Sequence, residues 1–269
     1  MNRPIGLYDS GIGGLSVVRE VFRQLPHESV LYMGDTARVP YGSRSESEIL
    51  AFNREIVDWL LESGAKAILI ACNTSSAMAL PMLRASCPVP VIGLIGPGAE
   101  TALAAGRRVG VIATQGTVRS GAYGHAIRAL DHGAEVREVA CPGLVPLVES
   151  GRWDGPEAVA VVREAIAPFL ADPPDCLVLG CTHYPHLAPL IRALLPGVTL
   201  VDPAARAVIA TAQALRIAGI EARGGNPAHR FFASGDPDHF HKLASRLFPG
   251  TIDRVEHVLL PSLDMASPA

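Results

Sequence analysis

Short apolar segments alternate along the chain with longer amphipathic segments. The apolar segments predict buried strands at 5–8, 30–33, 66–71, 89–94, 108–113, 135–140 and 175–180. Between them, apolar residues recur at helical spacing, which predicts helices over 15–25, 47–61, 117–130 and 156–170. Pro26 ends the first of these helices, and Ser47 is the expected N-cap of the second. Strands that alternate with helices in this way predict an α/β protein with parallel sheets.

Two pairs of segments resemble each other. The segment AILIACNT (67–74) can be laid on CLVLGCTH (176–183), and IGLYDS (5–10) on VGVIAT (109–114). The two matches occur in the same order and with similar separations. They predict two related α/β halves, which a chain of 269 residues can form as two medium domains.

Composition and charge exclude several classes of protein. With 49% apolar residues and a formal net charge of −3, the chain can bury a large core and has no basic surface for nucleic acid. It contains no apolar run of membrane-spanning length and no N-terminal pattern of a secretory signal. We therefore expect a cytoplasmic protein without nucleic-acid or membrane partners. Residues 262–269 are expected to form a loose tail.

The five cysteines are spread along the chain, with no CxxC pair and no zinc-ligand spacing. They are expected to be free thiols in a reducing compartment, and no metal site is expected. The glycine-rich turn DSGIGG (9–14) lacks the G-x-G-x-x-G spacing of a dinucleotide site. Its glycines are expected instead to let the backbone approach a carboxylate closely.

Polar residues and two cysteines follow the predicted strand ends, where ligands bind in open α/β sheets. These residues are Asp9, Ser10, Asp35, Cys72, Asn73, Thr114, Cys181, Thr182 and His183. If the two halves face each other, Cys72 and Cys181 approach one cleft from opposite sides. Inverting a carbon stereocentre requires a base on one face and an acid on the other, and thiols with a pKa near 8.5 suit both roles. His183 is placed to assist Cys181, and Asp9 to assist Cys72.

Each of these residues also has a structural interpretation. A cysteine after an apolar strand is commonly a buried structural thiol, and this is how we interpret Cys87, Cys141 and Cys176. Asp9 and Asp35 are equally consistent with helix N-caps, and Glu149 with a solvated helix end. The paired arrangement of Cys72 and Cys181 is what favours chemistry.

Six motifs in a fixed order resemble the aspartate/glutamate racemase superfamily, and within it the glutamate racemases. They are IGLYDSGIGGLSV (5–17), YMGDTARVPYGSRS (32–45), ACNTSSA (71–77), GVIATQGTVRSGAY (110–123), PLVESG (146–151) and GCTHYPHL (180–187). The resemblance implies two pseudo-symmetric α/β domains with parallel sheets and an active site in the cleft between them. It implies a discontinuous first domain, residues 1–95 plus 206–269, and a second domain, residues 96–205.

The resemblance also implies an activity: the interconversion of L- and D-glutamate without pyridoxal phosphate, metal or other cofactor, supplying D-glutamate for peptidoglycan. By position, Cys72 matches the base acting on D-glutamate and Cys181 the base acting on L-glutamate. Asp9 and His183 match the assisting residues, with Asp35 and Glu149 in supporting positions. The substrate-binding positions are matched by Asp9, Ser10, Tyr41, Gly42, Asn73, Thr74, Thr182 and His183; Thr114 and Thr117 lie in a motif expected to face the cleft.

Other activities remain open from the sequence. A sister racemase would act on aspartate or another amino acid, and a binding protein would keep the cleft without turnover. A cysteine hydrolase using Cys181 and His183 would not need Cys72. Two departures from the family pattern lie near the predicted domain crossings: Gly96-Pro97-Gly98 lacks an acidic residue before the proline, and Asp202-Pro203 stands where Asp-Ser is more common. The resemblance further implies a homodimer, which a monomer in light scattering at micromolar concentration would refute.

Overall fold

The computed structural model describes residues 3–261, so residues 1–2 and the predicted tail at 262–269 lie outside the described residues. The strands are β1 Ile5–Asp9, β2 Val30–Gly34, β3 Ala67–Ile70, β4 Val91–Ile92, β5 Arg108–Ala113, β6 Glu135–Ala140, β7 Cys176–Gly180, β8 Thr199–Val201, β9 His229–Ala233 and β10 Glu256–His257. The helices are α1 Leu15–Gln24, α2 Glu46–Glu62, α3 Asn73–Met78, α4 Leu80–Ser86, α5 Ile95–Ala105, α6 Gln115–Ser120, α7 Ala122–Leu130, α8 Leu144–Glu149, α9 Gly155–Ala165, α10 Ala167–Ala171, α11 Ala188–Leu194, α12 Ala204–Ile217 and α13 Pro237–Leu247. Short 3-10 turns lie at Tyr41–Ser43 and Tyr184–Leu187.

The described strands form two sheets in which every pairing is parallel, as the alternation of strands and helices predicts. The first sheet has the order β10-β9-β2-β1-β3-β4, and the second has the order β6-β5-β7-β8. The central strands β1, β3 and β7 are buried at every position. This accounts for their continuous apolar sequences, because helices cover both faces of a parallel sheet.

The predicted internal repeat is confirmed by the strand registers. In the first sheet Ile5 pairs with Ala67, and in the second sheet Val109 pairs with Cys176. These are the residues that the sequence repeat aligns. The outer strands also correspond between the two sheets. Strand β2 lies beside β1 as β6 lies beside β5, and β4 lies beside β3 as β8 lies beside β7. Strands β9 and β10 extend the first sheet beyond this shared unit.

The first sheet draws its strands from both ends of the described chain, and the second sheet only from its middle. Helix α12 leads back from the second sheet and packs against α1 and α5. The predicted domain boundaries at 95 and 206 lie at the starts of α5 and α12, and these boundaries stay a prediction. Among residues 3–261, no helix is both long enough and apolar enough to cross a membrane.

Three predicted helix features are wrong in detail. The helix predicted over 117–130 is divided into α6 and α7 at Gly121, whose φ of +63° is a left-handed conformation that ends a helix. The helix predicted over 156–170 is divided at Ile166, two residues before Pro168, which lacks a backbone N–H. The second helix is capped by Ser45 rather than Ser47. The reason is Glu48, which accepts from the Ser45 N–H at 3.0 Å while its own N–H donates to Ser45 Oγ at 3.3 Å.

The serine that caps α2 can be identified by substitution. We expect Ser45→Ala to lower the free energy of unfolding by about 1 kcal/mol, because it removes the side-chain acceptor for the first turn. Ser47→Ala is the control, and it should change the stability by only a few tenths of a kcal/mol. Urea unfolding followed by circular dichroism measures both. A larger loss for Ser47→Ala would contradict the assignment.

Candidate active site

One cavity of about 300 Å³ lies where the carboxyl ends of the two sheets meet. Twelve of the predicted site residues line it: Asp9, Ser10, Tyr41, Gly42, Cys72, Asn73, Thr74, Thr114, Glu149, Cys181, Thr182 and His183. The remaining two, Asp35 and Thr117, are fully buried behind residues of the lining. The cleft between two α/β units, expected from the sequence repeat, is therefore present.

Cys72 is the residue immediately before α3 and is 5% exposed. Burial, and then the charge of Asp9, raise the pKa of its thiol to about 12. The backbone N–H groups of Ser75 and Ser10 act in the opposite direction, because they can donate to a thiolate. The side chain of Ser10 lies nearby, with its Oγ 4.0 Å from the sulfur. In the resting site Cys72 is thus a neutral thiol with donors ready for its anion.

Asp9 ends β1 and accepts a hydrogen bond of 2.8 Å from the backbone N–H of Gly14. Burial raises the pKa of its carboxyl, while His183 and hydrogen bonds from Gly14 and Cys72 offset part of that effect. A Cβ atom at Gly14 would lie 2.6 Å from Asp9 Cβ, so the turn requires glycine there. The glycine-rich turn does bring its backbone to a carboxylate, and in this structure that carboxylate belongs to the protein itself.

Cys181, His183 and Glu149 form a hydrogen-bonded chain. The Cys181 sulfur lies 3.7 Å from His183 Nδ1, and His183 Nε2 lies 3.1 Å from Glu149 Oε1. Burial by itself lowers the pKa of His183, but the hydrogen bonds with Cys181 and Glu149 outweigh it and raise the pKa to about 10. The imidazole is therefore held in its charged form beside the second thiol.

Gly13 brings the turn after β1 into contact with the turn after β7, which carries Cys181. A Cβ atom at this position would lie 2.4 Å from Thr182 Oγ1 and 2.7 Å from His183 Nδ1. Distances below 3 Å leave no space for a side chain, so only glycine allows this approach. The turn after β1 is thereby packed against the turn after β7.

Three threonine hydroxyls connect the two sides of the cavity. Thr74 Oγ1, at the start of α3, lies 2.9 Å from Thr114 Oγ1 and 3.3 Å from Thr117 Oγ1. Thr114 and Thr117 are 3.0 Å apart and begin α6. The contact explains why Thr117 is fully buried without lining the cavity. Hydroxyls both donate and accept, so this cluster can rearrange around a bound carboxylate.

Asp35 contacts the cavity lining through Tyr41. The Tyr41 hydroxyl donates a short hydrogen bond to the Asp35 carboxylate, which also accepts from Arg38 Nε and Ser234 Oγ, both at 2.7 Å. Tyr41 lines the cavity, and Asp35 holds it from behind. Asp35 therefore lies behind the cavity lining rather than at a helix N-cap, and its supporting role stays a prediction.

An apolar part of the lining was not predicted from the sequence. It consists of Val39, Pro40, Cys141, Pro142, Val145 and Pro146. Cys141 donates to the carbonyl oxygens of Ala165 and Val139 at 3.5 and 3.6 Å, and burial raises the pKa of its thiol to about 12. It is therefore a neutral thiol at the cavity wall. Two motifs pointed to this region: Val39 and Pro40 lie within YMGDTARVPYGSRS, and Pro146 begins PLVESG.

Comparison with known families identifies the class of protein that this fold and site define. Residues 9–211 match the Asp/Glu/hydantoin racemase family, and the chain belongs to that family. The matched range includes both thiols and every predicted site residue.

Within that class the chain is similar to glutamate racemases over nearly its whole length. It is 49% identical to the glutamate racemase of Microcystis aeruginosa over 259 residues, covering 96% of this chain and 91% of the relative. Its fold matches a glutamate racemase isoform from Bacillus anthracis with a TM-score of 0.91 at 38% identity, covering 97% and 98% of the two chains. The glutamate racemase of Francisella tularensis in complex with D-glutamate also matches with a TM-score of 0.91, at 35% identity, covering 97% and 99% of the two chains.

Among residues 3–261, no three His, Cys, Asp or Glu side chains are grouped as a metal site.

The charge of His183 can be tested against a neighbouring histidine. At pH 8 we expect the imidazole of His183 to be protonated, because its pKa is about 10, and that of His186 to be neutral. Burial, followed by the charge of His183, lowers the pKa of His186 to about 4. Imidazole 15N chemical shifts between pH 5.5 and 8.5 should therefore show no titration of either ring. Glu149→Gln should lower the pKa of His183; titration of His183 near pH 6.5 in the unaltered protein would contradict the assignment.

Proposed function

We propose that this protein is a glutamate racemase that moves the α-proton between Cys72 and Cys181. The observation that carries the proposal is that each sheet places one thiol at the same cavity, after equivalently paired strands. Two acid–base groups of the same kind, one from each half, are what inversion of a stereocentre requires. The similarity to glutamate racemases, one of them solved with D-glutamate, supports glutamate as the substrate.

The proposed reaction exchanges one proton for another. With D-glutamate, the Cys72 thiolate removes the α-proton, and the Cys181 thiol donates its proton to the opposite face of the carbon. The C–H bond on one face breaks, the C–H bond on the other forms, and L-glutamate leaves. The same steps in reverse convert L-glutamate. Each turnover leaves the protonation of the two thiols exchanged, and proton transfer with solvent restores it.

Each thiol needs help to become a thiolate. We assign that help to Asp9 for Cys72, and to His183, oriented by Glu149, for Cys181. The donors around Cys72 stabilise the thiolate, but the thiol must first transfer its proton to a base. Asp9 can accept that proton, because burial raises the pKa of its carboxyl. Neither step requires a cofactor, and the absence of one stays a prediction.

The substrate brings two carboxylates and one ammonium group. Neutral donors suit the carboxylates, because charge-assisted hydrogen bonds are strong and leave no unpaired protein charge in the cavity. We assign this role to the side chains of Ser10, Asn73, Thr74 and Thr182 and to the backbone of Tyr41 and Gly42. Asp9 and His183 are assigned to the site of proton transfer. Thr114 and Thr117 orient Thr74, and Asp35 orients Tyr41.

The proposed setting is the bacterial cytoplasm, where D-glutamate enters peptidoglycan. A homodimer is also proposed, as the resemblance implied, without nucleic-acid or membrane partners. Light scattering of the purified protein tests the dimer directly.

Turnover is tested with L-glutamate in heavy water, using metal-free protein without pyridoxal phosphate. We expect the optical rotation to fall while deuterium enters the α-position, measured by circular dichroism and proton NMR. The same assay with L-aspartate distinguishes a sister racemase. Binding of glutamate without exchange would favour a binding protein, and exchange of neither enantiomer in folded, reduced protein would contradict the proposed function.

Substitution of each thiol separates racemisation from hydrolysis. Cys72→Ser and Cys181→Ser should each reduce racemisation by about a hundredfold or more, because a hydroxyl is a far weaker acid at neutral pH and general acid–base catalysis contributes about 10²–10⁴-fold. Cys87→Ser, a half-buried thiol that does not line the cavity, is the matched control and should keep full activity. Full activity in Cys72→Ser would instead indicate chemistry that uses Cys181 and His183 alone.

A further inference from the structure

Tyr123, on α7, is fully buried and contacts the chain next to both thiols. Its hydroxyl donates a 2.7 Å hydrogen bond to Oδ1 of Asn73, the residue after Cys72. Its ring packs against Gly180, the residue before Cys181, where an added Cβ atom would lie 3.1 Å from Cε2 of the tyrosine. One side chain from the second half of the fold therefore spans the two thiol-bearing segments.

The ring of Tyr123 is held between glycines. A Cβ atom at Gly98 would lie 2.9 Å from Cε1 of the ring and 3.2 Å from Pro203 Cγ. Gly98, which packs against the ring, and Pro203, which lies beside Gly98, belong to the two segments that depart from the family pattern. Gly121, whose conformation is left-handed, directly precedes α7, and Tyr123 is the second residue of that helix. The hydroxyl is consequently fixed by its own surroundings and not by Asn73 alone.

Asn73 is the residue on which that hydroxyl acts. It lines the cavity and is 2% exposed, yet its Nδ2 has no hydrogen-bond partner. A side-chain amide offers an acceptor on one side and two donors on the other. Because Tyr123 occupies the acceptor, the two Nδ2 donors are left for another acceptor in a residue that lines the cavity. An unpaired buried donor is unfavourable until a ligand oxygen accepts from it.

We propose that Tyr123 is a positioning residue, whose hydroxyl fixes the Asn73 amide so that Nδ2 binds a carboxylate of the substrate. The inference rests on the proposed function only in taking glutamate as the ligand. Tyr123 touches no reacting atom in this scheme. Its effect is on substrate binding, through Asn73.

Tyr123→Phe removes the hydroxyl and keeps the ring. We expect KM for both glutamate enantiomers to rise about tenfold while kcat changes less than about twofold, as for a lost hydrogen bond that serves substrate and transition state equally. The matched control is Tyr8→Phe. Tyr8 is also fully buried, and its hydroxyl donates to Asn53 Oδ1 at 2.5 Å, but neither residue lines the cavity. Its KM should stay within about twofold of the unaltered protein.

A double-mutant cycle tests whether the hydroxyl acts through Asn73. In the Asn73→Ala background, Tyr123→Phe should change KM by less than about twofold, since no amide remains to be oriented. A similar rise in both backgrounds, or an unchanged KM in Tyr123→Phe alone, would overturn the inference. Glutamate turnover by the unaltered protein with either of these results overturns the role of Tyr123 only, whereas no turnover at all contradicts the proposed function.

A spectroscopic test needs no altered tyrosine. The side-chain 15N signal of Asn73, identified by its loss in Asn73→Ala, should shift when D-glutamate is added, because Nδ2 gains an acceptor. Saturating D-glutamate without a shift of that signal would overturn the inference even if the variants proved unstable.

Discussion

The rest of the structure depends on one constraint: the central strands of both sheets pair in parallel and in the same register. Because β1 pairs with β3 as β5 pairs with β7, each half of the chain delivers a cysteine to the same place beyond its sheet. A shift of one residue in either register would turn the side chains of a strand to the other face. The fully buried strands make such a shift costly, since every side chain in them has a packed position. The geometry of the cavity is thus a property of the two cores.

The two halves agree in backbone and differ in chemistry. Under the alignment of the repeat, Asp9 corresponds to Ala113, and His183 corresponds to Thr74. One thiol is therefore accompanied by a carboxylate that precedes it in the chain, and the other by an imidazole that follows it. A nearby carboxylate raises the pKa of a thiol, and a charged imidazole favours the thiolate. The substrate meets an unsymmetrical pair of acid–base groups within a nearly symmetrical frame.

The sequence predicts the parts of this site that depend on strand ends. Asp9, Cys72 and Cys181 follow apolar segments, so the rule for ligand sites in parallel sheets locates them without a structure. The repeat then selects Cys72 and Cys181 from five cysteines. Local details were harder to predict from the sequence. The capping box of Ser45 competes with a plausible cap at Ser47, and Gly121 interrupts a helical pattern that is otherwise continuous. Contacts between segments far apart in the sequence could not be predicted from the sequence at all. Ser234 reaches Asp35, and Tyr123 reaches Asn73, through the packing of whole elements.

The position of β9 in the first sheet has a consequence for biosynthesis. On the ribosome, the second sheet has all its strands once residue 201 has been added, and it can assemble as a unit. The first sheet begins earlier and finishes later, because β2 acquires its neighbour only when residues 229–233 are made. Until then β2 is an exposed edge of an apolar parallel sheet, the kind of edge to which another nascent chain can add. The half of the protein that is translated first is therefore the half that most needs protection while translation continues.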